Sequence, residues 1–514
     1  MKNTIKNSAF IAISLFCVSC TDLTEIDQAS FNAANFPSAS NPQSYQVIAL
    51  DPIAHLRQML ANQATWEVHE TVTDECVVPT RGSDWFDGNR WKDFHFHDFK
   101  SDNNRIITAW NWAYFGISKS NSALKVLEQA APNATRDNYI GQVRAVRAYF
   151  YWHLIDLFGN VPIVTKPDLS EGLPKNSTRA DVFKFIEKEL LEAEKVLSTD
   201  VNALTYGLPT KWFAKALLTK LYLNAEVYTG TAKWDEAAKQ AEEIMTSGKY
   251  NYTDDYLSIF AFNNGPTIKE NIFVIAQSAN DNASVMQFPQ KFLPKEFGNS
   301  VDYKAGAWAG YSALPEFYDT YNDPKDQRNK QWFVGPQNFS NGQPVMAGSK
   351  QVVITKEMPF GKANPANPFD LGGCLDCYWQ GVKNMKYGFD PLSASSLQSN
   401  DFVVFRYSDI VLMKAEAEAR KANNPEIALI AVNQLRAKRG AAAFTKLTWD
   451  TFLEERGREF AYEMWRRNDL IRFGAWGKTW GLKPNTVSKD HLKLFPIPLS
   501  QLQSNSNLKQ NPGY

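Results

Sequence analysis

Residues 81–91 concentrate side chains that can recognise sugar rings. Two glycines mark this stretch as a loop, and its candidate binding residues are Arg81, Asp84, Trp85, Asp87, Asn89 and Trp91. Aromatic rings stack on the flat apolar face of a sugar, while arginine, acidic and amide side chains hydrogen-bond to its hydroxyls. The loop is therefore a candidate carbohydrate-binding surface. The alternative interpretation is that Trp85 and Trp91 only anchor the loop to its scaffold.

A second set of candidate binding residues lies in the aromatic, glycine-containing middle of the chain: Trp308, Tyr311, Trp332, Tyr378 and Trp379. Cys374 and Cys377 immediately precede the last two. A lone C-x-x-C lacks the two further ligands that a structural zinc site needs, so we expect a local disulfide there. Such a bond would stiffen the loop that presents the two rings, and a rigid loop loses less entropy on binding.

The composition narrows the classes of partner. The chain has 514 residues, of which 44% are apolar, and its 55 Lys and Arg residues equal its 55 Asp and Glu residues. This balance gives no reason to expect nucleic acid or an anionic membrane surface as a partner. His95 and His97 have no evident third ligand, so neither a metal nor another cofactor is expected. Tryptophans in helical patterns are expected in the core: Trp110, Trp112, Trp152, Trp212 and Trp465.

The N-terminal residues have the parts of a bacterial export signal. Lys2 and Lys6 precede a short apolar run, and a small residue precedes Cys20, as in a lipobox. This pattern predicts a signal peptide over residues 1–19, lipidation of Cys20 and an extended tether over residues 20–45. The lipid would then be the only membrane contact. An ordinary signal peptide with an incidental cysteine is the alternative.

The remaining sequence predicts a mainly α fold. Apolar residues recur at three- and four-residue spacings over residues 105–130, 136–158, 179–197, 209–228, 234–247, 405–421, 425–439 and 451–473. Paired helices with small residues at their contacts are typical of tetratricopeptide-like repeats. We therefore expect a helical-repeat scaffold (46–250) with an aromatic loop at 80–100, a loop-rich, short-strand region (251–400), and C-terminal helices (401–514) that complete the scaffold.

Several motifs follow one another along the chain: residues 112–121 (WAYFGISKSN), 142–154 (QVRAVRAYFYWHL), 158–162 (FGNVP), 405–417 (FRYSDIVLMKAEA), 433–439 (NQLRAKR), 454–461 (EERGREFA), 469–474 (DLIRFG), 496–498 (PIP) and 510–514 (QNPGY). As an ordered set they resemble the SusD/RagB family of surface glycan-binding lipoproteins. Each motif alone is weak, and their shared order makes the resemblance specific.

The resemblance implies a non-catalytic lipoprotein, anchored in the outer membrane and facing the exterior. It would bind an oligo- or polysaccharide, with the loop-rich, short-strand region 251–400 as its glycan-binding region, and deliver it to a SusC-like, TonB-dependent outer-membrane barrel. Most of the charged signature residues are expected to form salt bridges within the scaffold: Arg144, Arg147, Arg406, Glu416, Glu454, Arg458 and Glu459.

Two other classes of function remain open at this point. A lipid-anchored glycoside hydrolase would need two carboxylates at a defined separation across the scissile bond. Asp84 and Asp87 are close in sequence, but their position beside arginines fits hydroxyl acceptors or loop caps better. A helical-repeat adaptor would instead use the aromatic loops to contact the barrel, and not a sugar.

Overall fold

The computed structural model describes residues 42–61, 64–166, 172–279 and 284–514. Within these ranges there are sixteen α-helices: α1 (Pro42–His55), α2 (Thr65–Glu70), α3 (Arg90–Phe96), α4 (Asn104–Leu127), α5 (Ala134–Leu157), α6 (Arg179–Glu194), α7 (Lys211–Leu223), α8 (Ala225–Thr229), α9 (Trp234–Thr246), α10 (Phe288–Phe292), α11 (Pro315–Tyr318), α12 (Tyr407–Lys421), α13 (Leu429–Lys438), α14 (Trp449–Phe460), α15 (Arg466–Arg472) and α16 (Leu499–Ser504). The prediction of a mainly helical fold is confirmed.

Short 3₁₀ helices and strands supply the other regular structure. The 3₁₀ helices in the described ranges are Leu56–Leu60, Asp87–Asn89, Tyr256–Phe260, Lys295–Phe297, Gln327–Gln331, Leu375–Trp379, Pro425–Ala428 and Asp490–Lys493. The strands are β1 (Asn271–Ile275), β2 (Trp332–Phe333), β3 (Gly335–Pro336), β4 (Met346–Ala347), β5 (Lys350–Gln351), β6 (Val353–Ile354), β7 (Lys383–Asn384) and β8 (Phe402–Arg406). They form four antiparallel pairs: β1 with β8, β2 with β7, β3 with β6 and β4 with β5.

The long helices α4 and α5 form the centre of the scaffold. Asn103 and Asn133 cap their N-termini, because each side-chain oxygen accepts a backbone N–H from the first turn. The two helices pack closely where Gly116 of α4 faces Phe150 of α5, since a Cβ atom added at Gly116 would lie 2.2 Å from that ring. Successive helices then pack in series: α5 on α6, α6 on α7, α7 on α9 and α9 on α12.

Buried ion pairs connect these helices. Arg147 of α5 pairs with Glu189 of α6 at 2.5 Å, and Glu416 of α12 pairs with Arg472 of α15 at 2.6 Å. Arg406 is fully enclosed and contacts Glu459 at 2.5 Å. Removing one partner of such a buried pair typically costs about 3–5 kcal/mol. The predicted scaffold role of these signature residues is confirmed; Arg144, Glu454 and Arg458 also form ion pairs within the scaffold.

Two predicted helices are interrupted. The pattern over residues 451–473 divides into α14 and α15, because Tyr462 and Met464 adopt positive φ angles of 61° and 70° between them. Their backbone N–H groups donate to the buried carboxyl groups of Glu75 and Glu70. The pattern over 209–228 ends its first helix at Leu223 and resumes as α8.

The N-terminal predictions fall mostly outside the structure. The predicted signal peptide, Cys20 and the tether up to residue 41 lie outside the described residues. Helix α1 begins at Pro42, so the last four residues of the predicted tether are helical. Among the helices of the described ranges, none has both the length and the hydropathy that crossing a membrane requires.

Candidate functional site

Arg81 fixes the base of the candidate loop. Its side chain is fully buried and makes five hydrogen bonds within the protein. Among them, Nη1 donates to the carbonyl oxygen of Gly310 at 2.7 Å and Nε to that of Cys377 at 3.1 Å. Burial lowers the pKa of Arg81 to about 10, which leaves it charged at neutral pH. Arg81 therefore connects its own loop with the segments around Gly310 and Cys377. All three nitrogens of its guanidinium group donate hydrogen bonds within the protein.

A disulfide and a carboxylate fix the third segment against the loop. Cys374 and Cys377 are joined by a disulfide. Asp370 accepts the backbone N–H groups of Gly82 and Gly372, each at 2.9 Å. The backbones approach so closely that a Cβ atom on Gly82 would lie 2.9 Å from Gly373. The surface built from residues 81–91, 295–311 and 370–380 is thus held by bonds between segments that are far apart in sequence.

The polar part of this surface is a cluster of three side chains. Asp84 Oδ2 accepts hydrogen bonds from Lys295 Nζ at 2.8 Å and from the Tyr378 hydroxyl at 2.6 Å. Lys295 also lies over the Tyr378 ring, 3.9 Å from its centroid. The hydrogen bond from Lys295, followed by that from Tyr378, lowers the pKa of Asp84. Asp84 is therefore a fixed anion and hydrogen-bond acceptor at the protein surface.

Trp85 and Trp308 provide the aromatic part. Both side chains are half-buried, with ring centroids 6.3 Å apart. The Trp85 indole N–H donates to the carbonyl oxygen of Trp308 at 3.3 Å, and the ring packs edge-on against Tyr311. The indole also covers Gly310, where an added Cβ atom would lie 2.4 Å from it. Ring faces here are held in place before any ligand arrives.

The loop backbone is strained. Trp85, Asp87 and Asn89 have φ angles of 62°, 42° and 66°, and the intervening Gly88 has a φ of 65°. Asparagine and aspartate tolerate this left-handed region, but a bulky tryptophan rarely adopts it. Strained residues of this kind persist where the surrounding structure fixes them, and they cluster at ligand sites.

Asp87 connects the loop to α4. Its Oδ2 accepts the Trp91 indole N–H at 2.8 Å and an Arg105 N–H at 3.3 Å. The Arg105 guanidinium lies 3.9 Å from the Trp91 ring centroid. Trp91 is only 2% exposed, so it anchors the loop, whereas Asp87 itself is exposed and Asn89 is half-buried.

Five of the candidate binding residues have buried side chains: Arg81, Trp91, Tyr311, Trp332 and Trp379. Tyr311 donates its hydroxyl to the interior Glu67 at 2.7 Å, and the Trp379 indole N–H donates to Glu296 at 3.2 Å. Trp332 lies apart in β2, among Phe317, Tyr318, Tyr321 and Tyr462.

The remaining candidates lie on one surface, which we call the loop surface: Asp84, Trp85, Asp87, Asn89, Trp308 and Tyr378. The sequence analysis missed Lys295, which joins two of them, and Phe86, whose side chain is 46% exposed in the same loop. Phe86 could have been included from its position between Trp85 and Asp87. Lys295 gave no local signal, because it is 211 residues from Asp84.

Comparison with known families covers both halves of the chain. Residues 40–223 match a family model described as "Starch-binding associating with outer membrane", and residues 269–514 match the model of the SusD family. The chain belongs to the SusD/RagB family. The resemblance that the ordered motifs indicated is thereby confirmed.

Individual SusD/RagB relatives are distant in sequence but extend over most of the chain. The starch-binding protein SusD of Bacteroides thetaiotaomicron is 24% identical over 407 residues, which are 73% of this chain and 72% of SusD. A SusD superfamily protein from Parabacteroides distasonis has a structure with a TM-score of 0.72 and 23% identity, covering 92% of this chain and 99% of its own. Surface glycan-binding protein A from B. thetaiotaomicron, solved with laminarihexaose, gives a TM-score of 0.73 at 21% identity, with 91% and 99% covered. These structures share the fold.

Proposed function

We propose that this chain binds an oligo- or polysaccharide at the loop surface without cleaving it. The observation that carries the proposal is the convergence of Trp85, Trp308, Tyr378 and Asp84 from three separate segments onto one fixed surface. Half-buried rings beside a carboxylate and an ammonium group match the apolar faces and hydroxyls of sugars. Membership of the SusD/RagB family, and the starch-binding and laminarihexaose-binding relatives, support the same class of ligand.

The state of the carboxylates argues against a glycosidase. A general acid for glycoside hydrolysis needs a raised pKa, so that it carries a proton at neutral pH. The pKa of Asp84 is instead lowered, and Asp87 is held by Trp91 and Arg105. Both carboxylates therefore fit the role of hydrogen-bond acceptors, and the proposal is a binding protein.

We further propose that Cys20 carries a lipid anchor in the outer membrane, and that the bound glycan passes to a SusC-like, TonB-dependent barrel. The lipobox pattern supports the anchor, and the description of the family model as associating with the outer membrane supports the location. A Cys20→Ser chain should move from the membrane fraction to the soluble fraction of the producing cells. If Cys20→Ser stays in the membrane fraction, the lipid anchor is refuted.

Affinity electrophoresis against a panel of plant, fungal and host polysaccharides tests the binding. We expect retardation by one glycan, no release of smaller products, and loss of retardation in Trp308→Ala and Tyr378→Ala. Phe115→Ala is the matched control, because it removes an exposed ring of α4 that contacts none of the loop-surface residues. Released products would refute the non-catalytic proposal. If the glycan still retards both Trp308→Ala and Tyr378→Ala, the loop surface is refuted as the binding site.

A further inference from the structure

A second aromatic pocket lies where the ends of three helices meet, and it shares no residue with the loop surface. Trp234 is the first residue of α9, Trp449 is the first residue of α14, and Arg420 lies in the last turn of α12. The other residues that line the pocket are Glu226, Asn423, Arg472 and Phe473. The cavity has a volume of about 340 Å³, which falls within the range of about 300–1,000 Å³ usual for small-molecule sites.

Arg420 orders the rings of this pocket. Its guanidinium carbon lies 5.1 Å from the centroid of the Trp449 ring, 5.7 Å from that of Trp234 and 4.6 Å from that of Phe473. Cation–π attraction at these distances holds the two indoles in place. Both tryptophans are half-buried and line the cavity, so part of each ring remains available to a ligand.

Only some of the polar groups that line the pocket form hydrogen bonds within the protein. Arg420 donates from Nε to Glu416 at 2.7 Å and from Nη2 to the Arg472 carbonyl oxygen at 3.3 Å. Its Nη1, the Glu226 carboxylate and the Asn423 side-chain amide have no hydrogen-bond partner among the described residues. Donors and an acceptor thus surround two aromatic rings, which is the combination that sugar hydroxyls and ring faces require.

The charges favour a neutral sugar over an acidic one. Glu416 pairs with both Arg420 and Arg472, at 2.7 and 2.6 Å, and Asp469 is shared by Arg472 and Arg456. The exposed carboxylate of Glu226 lies at the rim of the pocket and would repel an acidic ligand. The pocket is also too small for a long chain to lie within it, so one sugar unit is the expected occupant.

We propose that this pocket is a second carbohydrate-binding site, which takes a single neutral sugar unit against the exposed parts of the Trp234 and Trp449 rings. It is built from other helices than the loop surface and binds independently of it. The competing explanation is that the tryptophans only pack on Arg420 to close the helix ends. An experiment that detects direct contact between the pocket and a sugar distinguishes these two explanations. If the tryptophans only pack on Arg420, no magnetisation passes from the protein to a sugar.

Saturation-transfer NMR tests the proposal, using the full chain with Trp308→Ala and Tyr378→Ala so that the loop surface cannot contribute. The probes are glucose, galactose, mannose and xylose, with galacturonate as the acidic partner of galactose. We expect saturation transfer from the protein to at least one neutral sugar, and binding of galacturonate about tenfold weaker than that of galactose. The transfer signal should be lost when Trp449→Ala is added. Adding Phe115→Ala should leave the signal unchanged.

Three results would overturn the second site: no transfer to any of the four neutral sugars, an unchanged signal in Trp449→Ala, or tighter binding of galacturonate than of galactose. If Trp449→Ala does not fold, Glu226→Ala replaces it, because this exposed carboxylate has no packing role. It should weaken the sugar signal severalfold. A negative result here leaves binding at the loop surface untouched, since that binding is measured with Trp308 and Tyr378 present.

Discussion

Gly310→Ala offers a direct test of whether the position of Trp85 matters for glycan binding. The new methyl group would lie 2.4 Å from the Trp85 indole, whereas carbon atoms in contact are about 3.5–4.0 Å apart. The ring must therefore move by more than 1 Å, roughly the shortfall between these distances. It would lose the hydrogen bond to the Trp308 carbonyl oxygen and its edge-on contact with Tyr311.

The size of the effect follows from these contacts. A hydrogen bond contributes about 0.5–1.5 kcal/mol and an aromatic pair about 0.5–1.5 kcal/mol, so the native position of Trp85 becomes less favourable by about 1–3 kcal/mol. If the ligand needs that position, affinity should fall by about 5- to 150-fold, because 1.4 kcal/mol corresponds to a factor of ten. Overall folding should persist, since Trp85 is only half-buried.

Gly306→Ala is the matched control, because a Cβ atom there meets nothing within 4 Å. Isothermal titration with the glycan found by electrophoresis measures the affinities, and near-ultraviolet circular dichroism reports the displaced indole. The reasoning is refuted if Gly310→Ala shows the displaced ring but binds as tightly as Gly306→Ala. Trp85 would then be an anchor of the loop and not a sugar contact.

Three further variants test the contacts that support the fold and the loop surface. Arg81→Met should lower the free energy of unfolding in urea by about 2–4 kcal/mol, since the carbonyl oxygens of Gly310 and Cys377 lose buried partners; an unchanged value would contradict this role. Cys374→Ser together with Cys377→Ser should weaken glycan binding severalfold with little change in melting temperature, because the loop loses rigidity. Burial raises the pKa of Glu70 from 4.5 to about 7, so the folded protein keeps a proton there that the unfolded chain releases above pH 4.5. The stabilisation from this group is therefore complete below pH 4.5 and is lost as pH rises to about 7. Melting temperature should therefore fall across that window, and Glu70→Gln should flatten the profile.

The sequence predicted the parts of the fold that depend on local patterns. Helices α4 and α5 lie within three residues of their expected bounds, because apolar periodicity and the caps Asn103 and Asn133 are local signals. The sequence did not predict the break between α14 and α15, because no local pattern marks it. The groups that stabilise it, Glu70 and Glu75, are nearly 400 residues away in the chain.

Candidate binding residues were harder to assign, because composition does not distinguish a ring that binds from a ring that anchors. Trp85 and Trp91 lie six residues apart in one loop, yet Trp91 is buried under Arg105 and Trp85 is half-exposed. Trp308 and Trp332 share a loop-rich region, but only Trp308 reaches the loop surface. Their roles are decided by partners that are remote in sequence, and no local pattern contains that information.

The interior contacts explain how a strained loop can serve as a binding surface. A left-handed backbone at Trp85 costs of order 1–3 kcal/mol, and an isolated loop would relax it. Here the five hydrogen bonds of Arg81 and the two accepted by Asp370 fix the neighbouring backbone. Because these contacts stabilise the strained backbone when the protein folds, a ligand does not have to order the loop. More of the free energy of the ligand's contacts therefore contributes to binding. Under the proposed function, Arg81, Trp91 and Tyr311 act on binding through the position of Trp85 and Asp87.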